Sequence, residues 1–360
     1  MHPLKRLKFT LLATAVVVVL GFASTAAAQH YSVTNLVADV PGVAANTDPN
    51  LVNPWGISFS TTSPFWISDN GTGLSTLYNG TGATIPLVVT IPTPPGGAPP
   101  SKPTGTVYNT TTEFAVTGNG VTAAAAFLFA TEDGTISGWA PSVDLHNAVL
   151  AVDNSGKGAI YKGLAIATNK WGKTFIYVTN FHDGYVEVYD SSFQWVKQFT
   201  DYRLPYGYAP FGIQTINNKL YVTFAKQDAD KEDDVAGPGK GFLDVCDLDG
   251  DHCHRLASRG HLNAPWGLAL APADFGRFSG DLLVGNFGDG RIHAYGRHSG
   301  DFHGTLRMKH HVPIAIDGLW GIAFGNGASA GSTNILYFTA GPDDESHGLF
   351  GQIEAVHHSK

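Results

Sequence analysis

Short apolar runs separated by turn residues recur along the chain from about residue 30 onward. Residues 176–180 (IYVTN) are almost wholly apolar, residues 185–189 (YVEVY) alternate apolar and polar side chains, and residues 195–199 (WVKQF) are more polar. Their period is two rather than the 3.6 residues of an amphipathic helix, and Gly, Asp and Asn separate the runs. The pattern predicts an all-β protein built from short strands.

One short motif recurs six times at a regular spacing. Its clearest copies are NPWGI at 53–57, APFGI at 209–213, APWGL at 264–268 and GLWGI at 318–322, with weaker copies KPTGT at 102–106 and YKGLA at 161–165. The shared glycines stand at 56, 105, 163, 212, 267 and 321, so the intervals run from 49 to 58 residues. Such a period is typical of a repeat architecture.

Each copy precedes a second apolar run, a third alternating run and, in most copies, a fourth polar run. Four strands in each of six repeats predict a six-bladed β-propeller with four-stranded blades. The sixth copy lacks a fourth run after residues 351–356, whereas residues 31–37 (YSVTNLV) form a strand without a blade. We expect this N-terminal strand to complete blade six and close the ring. Residues 29–360 are therefore predicted to form one domain, with 92–103 as a loop between blades.

The first 28 residues have the features of a secretory signal peptide. Three cations lie within residues 5–8, residues 9–22 are apolar, and residues 26–28 (AAA) supply an A-x-A cleavage site. The apolar core is shorter than the roughly 20 residues of a membrane span, and no later stretch is apolar enough to be one. We expect a secreted or periplasmic protein whose net charge goes from −8 to −11 when the three cations are removed.

Composition narrows the classes of protein further. Charged residues make up 14% of the chain, and there are 43 Gly, 20 Pro and 2 Cys. This composition argues against a helical bundle, a coiled coil and a disulfide-stapled miniprotein. The acidic net charge and the lack of a basic patch argue against a nucleic-acid partner. We expect a monomer.

The two cysteines flank a turn signal. Cys246 and Cys253 lie on either side of Asp249-Gly250, and a two-residue turn there would place them directly opposite each other on two strands. Opposed Cβ atoms are close enough for a disulfide, which export permits. Two free thiols are the alternative.

The chain resembles the uncharacterised secreted bacterial six-bladed propellers related to NHL-type propellers. The most specific stretches are residues 221–241 (YVTFAKQDADKEDDVAGPGKG), 262–290 and 339–350, and the resemblance covers nearly all of residues 30–356. Members of that family often carry a C-terminal envelope-sorting signal, which is not found after residue 356, so the resemblance does not carry anchoring over to this chain. It implies the fold and export but no settled reaction.

Polar and aromatic residues of the repeat are expected to surround one channel mouth, because two sets of turns open on the same face. These turns contain Asn53, Asp69, Glu132, Lys162, Gln227, Asn263 and Asp317. Concave sites with convergent polar groups and aromatic walls are the usual ligand sites. The ligand-binding candidates are Trp55, Asn70, Asp133, Asn180, Asp183, Phe211, Trp266, Asn286, Asp289 and Trp320. The alternative is that the polar residues only form turns and the aromatic residues only pack.

The loop 226–239 is unusually acidic and long enough to lie over the mouth as a lid. Carboxylates and carbonyls are the ligands that Ca²⁺ takes, so Asp228, Asp230 and Asp233 are candidate calcium ligands. The spacing does not fit an EF-hand, and a solvated acidic loop is the alternative.

Three further side chains are candidates for proton transfer. His182 replaces a glycine of the equivalent turn 286–290, His347 lies in an acidic turn, and Lys226 begins the acidic loop. A histidine beside carboxylates can act as a general acid or base near neutral pH. The sequence therefore predicts an exported propeller that binds a small molecule or saccharide, as a calcium-assisted, lactonase-like hydrolase or a lyase. The alternative is a noncatalytic envelope or matrix platform for protein binding.

Overall fold

Six antiparallel sheets surround one axis in a computed structural model that describes residues 30–356, and the predicted six-bladed propeller is confirmed. The predicted signal peptide lies outside the described residues. Blade one contains β3 (Pro54–Ser58), β4 (Phe65–Asp69), β5 (Leu74–Tyr78) and β6 (Val89–Thr90). Blade two contains β7 (Pro103–Tyr108), β10 (Phe127–Thr131), β11 (Thr135–Trp139) and β12 (Val149–Asp153), with the hairpin β8 (Ala115–Gly118) and β9 (Val121–Ala124) inserted.

The middle blades follow the same order from the axis outward. Blade three contains β13 (Tyr161–Thr168), β14 (Thr174–Asn180), β15 (Tyr185–Asp190) and β16 (Trp195–Phe199). Blade four contains β17 (Tyr208–Ile216), β18 (Lys219–Lys226), β19 (Gly241–Cys246) and β20 (His254–Ser258). Blade five contains β21 (Pro265–Leu270), β22 (Leu282–Asn286), β23 (Ile292–Tyr295) and β24 (Phe302–Thr305).

The N-terminal strand completes the ring, as predicted. Blade six contains β25 (Leu319–Phe324), β26 (Ile335–Ala340), β27 (Leu349–Val356) and β1 (His30–Ala38), and the short β2 (Asn46–Thr47) adds a parallel edge strand. β1 pairs antiparallel with β27 from His30 opposite Val356 to Ala38 opposite Leu349. Both ends of the described chain are thus held in one sheet.

The described helices are three short 3-10 turns, Ser155–Lys157, Gly276–Phe278 and Lys309–His311. Between residues 30 and 356, no helix combines the length and apolar character needed to cross a membrane.

The six repeat glycines lie where the inner strands of neighbouring blades approach each other. A Cβ on Gly212 would lie 2.1 Å from the carbonyl oxygen of Trp266, and one on Gly267 would lie 2.5 Å from that of Trp320. The same contact closes the ring, because a Cβ on Gly321 would lie 2.6 Å from the carbonyl oxygen of Trp55. Only glycine fits such close backbone approaches, which explains the repeat that the sequence shows.

Threonines of the second strands link neighbouring blades at the same level. Thr339 Oγ1 accepts the N–H of Gly321 and donates to the carbonyl of Trp55, at 2.9 and 2.6 Å. Thr179 makes the equivalent pair of bonds with Gly163 and Phe211, both at 2.7 Å. Each hydroxyl satisfies two buried backbone groups that the sheets leave unpaired.

Apolar clusters fill the spaces between adjacent blades. Tyr177 and Val186 of blade three pack with Val222 and Phe224 of blade four in one such cluster. Period-two alternation supplies these side chains, since both faces of a blade contact a neighbouring blade.

The disulfide between Cys246 and Cys253 is confirmed, with the two Cα atoms 4.1 Å apart. The predicted two-residue turn is wrong. Gly250 N–H donates to the carbonyl of Asp247 at 2.8 Å, and Asp247 N–H donates to the carbonyl of Asp251 at 3.0 Å. The turn is therefore one residue wider, and His252, at φ 49°, bulges so that the cysteines still face each other.

Candidate functional site

A bulge in each first strand turns one side chain toward the axis. The pairing with the second strand shifts at the repeat glycine in every blade, for example between Tyr161 and Gly163 in blade three. Bulges commonly redirect a side chain in this way. The side chains preceding the repeat glycines are those of Trp55, Thr104, Lys162, Phe211, Trp266 and Trp320.

The axial aromatic residues form a buried cluster beneath the mouth. Trp55 stacks on Trp320 with ring centroids 3.4 Å apart, and Trp320 contacts Phe287 at 4.1 Å and Phe211 at 5.8 Å. Trp266 is partly buried and its Nε1 donates to the carbonyl of Lys162 at 3.1 Å. Trp55, Phe211 and Trp320 are at most 2% exposed. The structure thus places these predicted ligand-binding residues in the floor of the mouth.

A buried ion pair joins blades two and three above this floor. Lys162 is 1% exposed, and its ammonium group donates to Glu132 Oε1 and, at 3.1 Å, to Asp233 Oδ1. Its Nζ also lies 5.2 Å from the centroid of the Trp55 ring, a cation–π distance. Burial opposes the charged form of Lys162, but the two carboxylates outweigh it and raise its pKa. Lys162 is therefore a fixed cation.

Amides of blade one extend the network from Glu132 toward the aromatic floor. Asn70 Nδ2 donates to Glu132 Oε2 at 2.8 Å, and Asn53 Nδ2 donates to Asn70 Oδ1 at 3.3 Å. Trp320 Nε1 donates to Asn53 Oδ1 at 3.1 Å. Asn70, predicted as a ligand-binding residue, is buried and holds Glu132 in place.

The acidic loop reaches the mouth as predicted for a lid, and one of its carboxyl groups joins the ion pair. Asp233 contacts Lys162, and the next residue, Asp234, has an Oδ2 that is shielded from solvent and has no hydrogen-bond partner. Burial, followed by the charges of Asp233 and Glu345, raises the pKa of Asp234 to about 7, although Lys162 opposes the shift.

A strained turn in blade six brings a fourth carboxyl group to the mouth. Asp343, Asp344 and Glu345 have φ values of 55°, 53° and 64°, a left-handed run that costs energy for residues other than glycine. Glu345 Oε1 is buried without a partner. Burial and the charge of Glu132 raise the pKa of Glu345. We call Lys162, Glu132, Asp233, Asp234 and Glu345 the mouth cluster.

A cavity of about 470 Å³ opens beside the mouth cluster, and we call it the mouth cavity. Glu132, Asp233 and Glu345 line it together with residues of blades one to three and of the acidic loop, namely Asn70, Lys102, Asp133, Ser155, Gly158, Ala159, Ile160, His182 and Glu232. Asp133 Oδ2 accepts the backbone N–H of Lys102 at 2.9 Å, and burial raises the pKa of Asp133. Four predicted residues, Asn70, Asp133, His182 and Asp233, are thus part of one cavity wall.

Two pairs of predicted ligand-binding residues stabilise turns instead of lining the mouth cavity. Asn180 is fully buried and its Nδ2 donates to Asp183 at 2.9 Å and to Glu187 at 2.8 Å. Asn286 is also fully buried and donates to Asp289 at 3.1 Å. These contacts match the turn-forming alternative that the sequence left open.

The three predicted proton-transfer residues have separate partners. His182 lines the mouth cavity, and its buried Nδ1 has no partner. Lys226 Nζ donates to the carbonyl of Tyr206 at 3.1 Å. His347 Nδ1 lies 2.8 Å from Asp39 Oδ2, which raises the pKa of the histidine. Of the three, His182 alone is part of the mouth cavity, and the catalytic roles stay predictions.

The candidate calcium ligands point to different partners. Asp233 contacts Lys162, whereas Asp228 Oδ1 accepts the N–H of Glu232 at 3.0 Å and Asp230 is exposed. Within residues 30–356, no three or more His, Cys, Asp or Glu side chains are grouped so that they could hold a metal ion. The observed arrangement does not fit a three-carboxylate calcium site, and calcium binding stays a prediction.

Glu345 and Asp234 carry no sequence signal that marks them as functional residues. Glu345 lies in a turn that is absent from the other repeats. The direction of its side chain depends on three consecutive left-handed residues, and no sequence motif predicts them. Asp234 is one of several acids in one loop, and only the loop's path distinguishes it from Asp233. Lys162 could have been recognised from the sequence as unusual, because it stands where the clearest copies of the repeat have an aromatic residue.

Comparison with two viral proteins of similar length shows which family the chain belongs to. No family model matches the chain. The uncharacterized protein R648 of Acanthamoeba polyphaga mimivirus is 32% identical over 341 residues, covering 92% of this chain and 82% of the viral protein. The uncharacterized protein L690 of the same virus is 32% identical over 341 residues, covering 92% of this chain and 88% of its own length. The chain belongs to the family of these two proteins. Since both are viral and uncharacterized, the bacterial and secreted features of the expected family stay predictions.

The solved structures that resemble this protein are propellers. The soluble aldose sugar dehydrogenase of Escherichia coli matches with a TM-score of 0.53 at 11% identity, covering 91% of this chain and all of the enzyme. Virginiamycin B lyase of Staphylococcus aureus matches with a TM-score of 0.51 at 14% identity, again covering 91% and 100%. At these identities the similarity shows the fold alone.

Proposed function

We propose that the protein binds a small hydroxyl-rich molecule, such as a saccharide, in the mouth cavity and acts on it as a hydrolase or lyase. The observation that carries the proposal is the cavity of about 470 Å³ whose wall includes His182 and Glu345, each with a buried polar atom that lacks a partner. Unpaired buried polar groups are costly, and a ligand that bonds to them removes that cost.

The carboxyl groups of the mouth cluster supply the chemistry. Glu345 lines the cavity, and burial and the charge of Glu132 raise its pKa, which favours the acid form that donates a proton to a leaving oxygen. Glu132, which also lines the cavity, removes a proton from water in hydrolysis or from carbon in elimination. Lys162 is a buried cation that stabilises negative charge developing on the ligand. Solved propellers of this fold include a lyase and a sugar dehydrogenase, which is in keeping with such a use.

Export and calcium remain parts of this proposal. The Cys246–Cys253 disulfide is in keeping with an oxidising compartment, and the signal-peptide features of residues 1–28 agree with it. Calcium would be held by Asp228, Asp230 and Asp233, together with loop carbonyls, once Asp233 has left Lys162. No step of the chemistry depends on calcium.

Binding and turnover of a panel of saccharides and lactones test the proposal. We expect at least one compound to raise the melting temperature of the protein, and we expect His182→Gln and Glu345→Gln to abolish turnover of that compound. Glu354→Gln, an exposed position in β27, is the matched control and should behave as wild type. Binding that survives both mouth variants unchanged would exclude this cavity as the site.

Two exposed tyrosines favour the protein-binding platform as a second candidate. Tyr202 and Tyr206 are 81% and 93% exposed and lie on the loop between blades three and four, beside Lys226. Exposed aromatic side chains are enriched at protein interfaces. The platform would be supported over the enzyme if wild type binds a protein partner that Tyr202→Ser/Tyr206→Ser does not bind. Neither wild type nor this variant should then turn over any compound of the panel.

A further inference from the structure

A second cavity lies at the end of blades three and four that faces away from the mouth. The acidic loop joins β18 to β19 at the mouth, so the turns before β18 and after β19 lie at the opposite end, as does the turn between β13 and β14. A cavity of about 480 Å³ opens between these turns, and we call it the rear cavity. Its lining includes Asn169 and Lys170 of blade three and Asn218, Asp247, Leu248 and Asp249 of blade four.

Hydrogen bonds between the two blades hold the walls of the rear cavity in place. Asn169 is 8% exposed, and its Nδ2 donates to Asp249 Oδ1 at 3.2 Å. The hydroxyl of Tyr177 donates to the carbonyl of Leu248, and the Cys246–Cys253 disulfide closes the base of the same turn. The cavity is therefore formed before a ligand arrives, and binding need not order its walls.

Both donors and acceptors of hydrogen bonds are available at the opening. Lys170 and Asn218 are exposed and supply amino and amide groups. Asn218 has a φ of 58° in the tight turn between β17 and β18, so its backbone is constrained. Asp249 is partly exposed, and its Oδ2 is not used by the bond to Asn169. A ligand whose groups both donate and accept hydrogen bonds, such as one with several hydroxyls, fits this lining.

The charges of the rear cavity are balanced, unlike those of the mouth. Asp247 pairs with the ammonium group of Lys219, and His252 Nδ1 lies 3.0 Å from the other oxygen of Asp247. Lys170 and Asp249 supply one charge of each sign. A wall without a dominant sign of charge favours neither an anion nor a cation. We therefore expect a neutral ligand.

An exposed tryptophan lies beside the opening. Trp171 is 64% exposed, and the centroid of its ring lies 4.5 Å from Nζ of Lys170, which lines the cavity. The backbone N–H of Trp171 donates to Asn169 Oδ1 at 3.1 Å, so the tryptophan belongs to the same turn. The C–H face of a sugar ring is apolar and buries its surface against an aromatic ring, while its hydroxyl groups bond to polar neighbours. Trp171 and the rear cavity together suit two adjacent units of a sugar chain.

We propose that the rear cavity and Trp171 form a second saccharide-binding site for a neutral oligosaccharide. One sugar ring packs on Trp171, and the next lies in the rear cavity with its hydroxyl groups bonded to Asn218 and Asp249. This site goes beyond the proposed function, because it lies on the opposite face and binds without turnover.

Titration calorimetry with cellohexaose, maltohexaose and N-acetylchitohexaose tests the site. We expect at least one of them to bind wild type more tightly than its monosaccharide does, because only a chain reaches both Trp171 and the cavity. Trp171→Ala should weaken that binding about tenfold or more, since the stacking surface is lost. Trp195→Ala is the matched control, because Trp195 is 56% exposed on β16 and does not line the rear cavity.

A second variant tests the cavity itself. Asn218→Gly removes the amide and tolerates the left-handed backbone, so it should fold normally and bind the hexasaccharide severalfold more weakly. Unchanged binding by this variant would remove the rear cavity from the site.

Two further measurements locate the site and the charge of its ligand. Glu345→Gln alters the mouth and should leave hexasaccharide binding unchanged. The affinity should be equal at about 0.05 M and about 0.5 M NaCl, because salt does not screen a neutral ligand, and a tenfold loss at the higher salt would contradict neutrality.

The inference is overturned if no hexasaccharide binds wild type, if Trp171→Ala binds as tightly as Trp195→Ala, or if Glu345→Gln abolishes binding. The last result would place the saccharide in the mouth and support the proposed function instead. Failure to turn over any compound bears on the proposed function alone.

Discussion

Asp69 in blade one occupies the position that Asn180 occupies in blade three, at the last residue of the second strand. Asp69 pairs with Pro54 as Asn180 pairs with Tyr161. Both side chains are fully buried, but Asn180 donates two hydrogen bonds, whereas neither oxygen of Asp69 has a partner. Burial, with a contribution from the charge of Asp48, raises the pKa of Asp69 well above its usual range.

We expect Asp69→Asn to stabilise the protein at neutral pH by about 1–3 kcal/mol, because it removes an unpaired buried acid. The folded state holds its proton more tightly than the unfolded state. Wild-type stability is therefore fully present below the unfolded pKa of about 4 and falls as pH rises toward the folded pKa. Urea unfolding at pH 5 and pH 8 should show a larger gain for the variant at pH 8.

Asn180→Asp is the converse control, since it places a second acid beside the buried Glu187. It should destabilise the protein, and more at pH 8 than at pH 5. A gain from Asp69→Asn that is the same at both pH values would show that the pKa of Asp69 is not raised in the folded protein.

Removal of the buried cation should be costly. Lys162→Met leaves Glu132, whose side chain is 16% exposed, without its cation, and breaking a buried pair costs about 3–5 kcal/mol. Lys162→Met/Glu132→Gln removes both charges and should recover most of that loss, as urea unfolding of the double-mutant cycle would show. Asp233→Asn should cost at most about 1 kcal/mol, because Asp233 is 73% exposed. Equal losses in the single and double variants would contradict the ion pair.

The fold could be predicted from sequence because its determinants are local and repeated. The repeat glycines predict close contacts between inner strands, and the structure has them. The period-two runs predict strands, and the strand at residues 31–37 pairs with the last strand of blade six as expected. The width of the Cys246–Cys253 turn could not be predicted, because the bulge at His252 compensates for the wider turn and leaves the cysteines opposite each other.

The candidate site was predictable only in part. The repeat predicts which turns surround the channel mouth and that the acidic loop lies near it. Asp133 and His182 therefore lie at the mouth, as expected. The repeat does not encode which side chains pair. Lys162 binds carboxylates from blade two and from the loop, and Glu345 arrives from a nonrepeated left-handed turn. Contacts between segments this far apart in sequence depend on the closed ring.

Calcium should bind the acidic loop weakly, because Asp233 must leave Lys162 and Asp228 must leave the N–H of Glu232. We expect a dissociation constant of about 1 mM, the range of low-affinity extracellular sites. Calcium at about 10 mM, about ten times that constant, should raise the melting temperature of wild type but not that of Asp228→Ala/Asp230→Ala/Asp233→Ala. Asp251→Ala, in the disulfide turn, is the control and should respond as wild type. No shift in wild type would exclude the calcium site.

The repeat glycines should tolerate no side chain. Gly212→Ala would place a Cβ 2.1 Å from the carbonyl oxygen of Trp266, between two backbones that cannot separate without opening the ring. We expect a loss of about 3 kcal/mol or more, at the upper end of overpacking effects. Gly156→Ala is the matched control, because its Cβ meets nothing within 4 Å and its φ is not left-handed. Thermal or urea unfolding of the two variants separates the effect of the inter-blade contact from that of a general glycine replacement. Equal stability of the two variants would show that the inner strands can move apart.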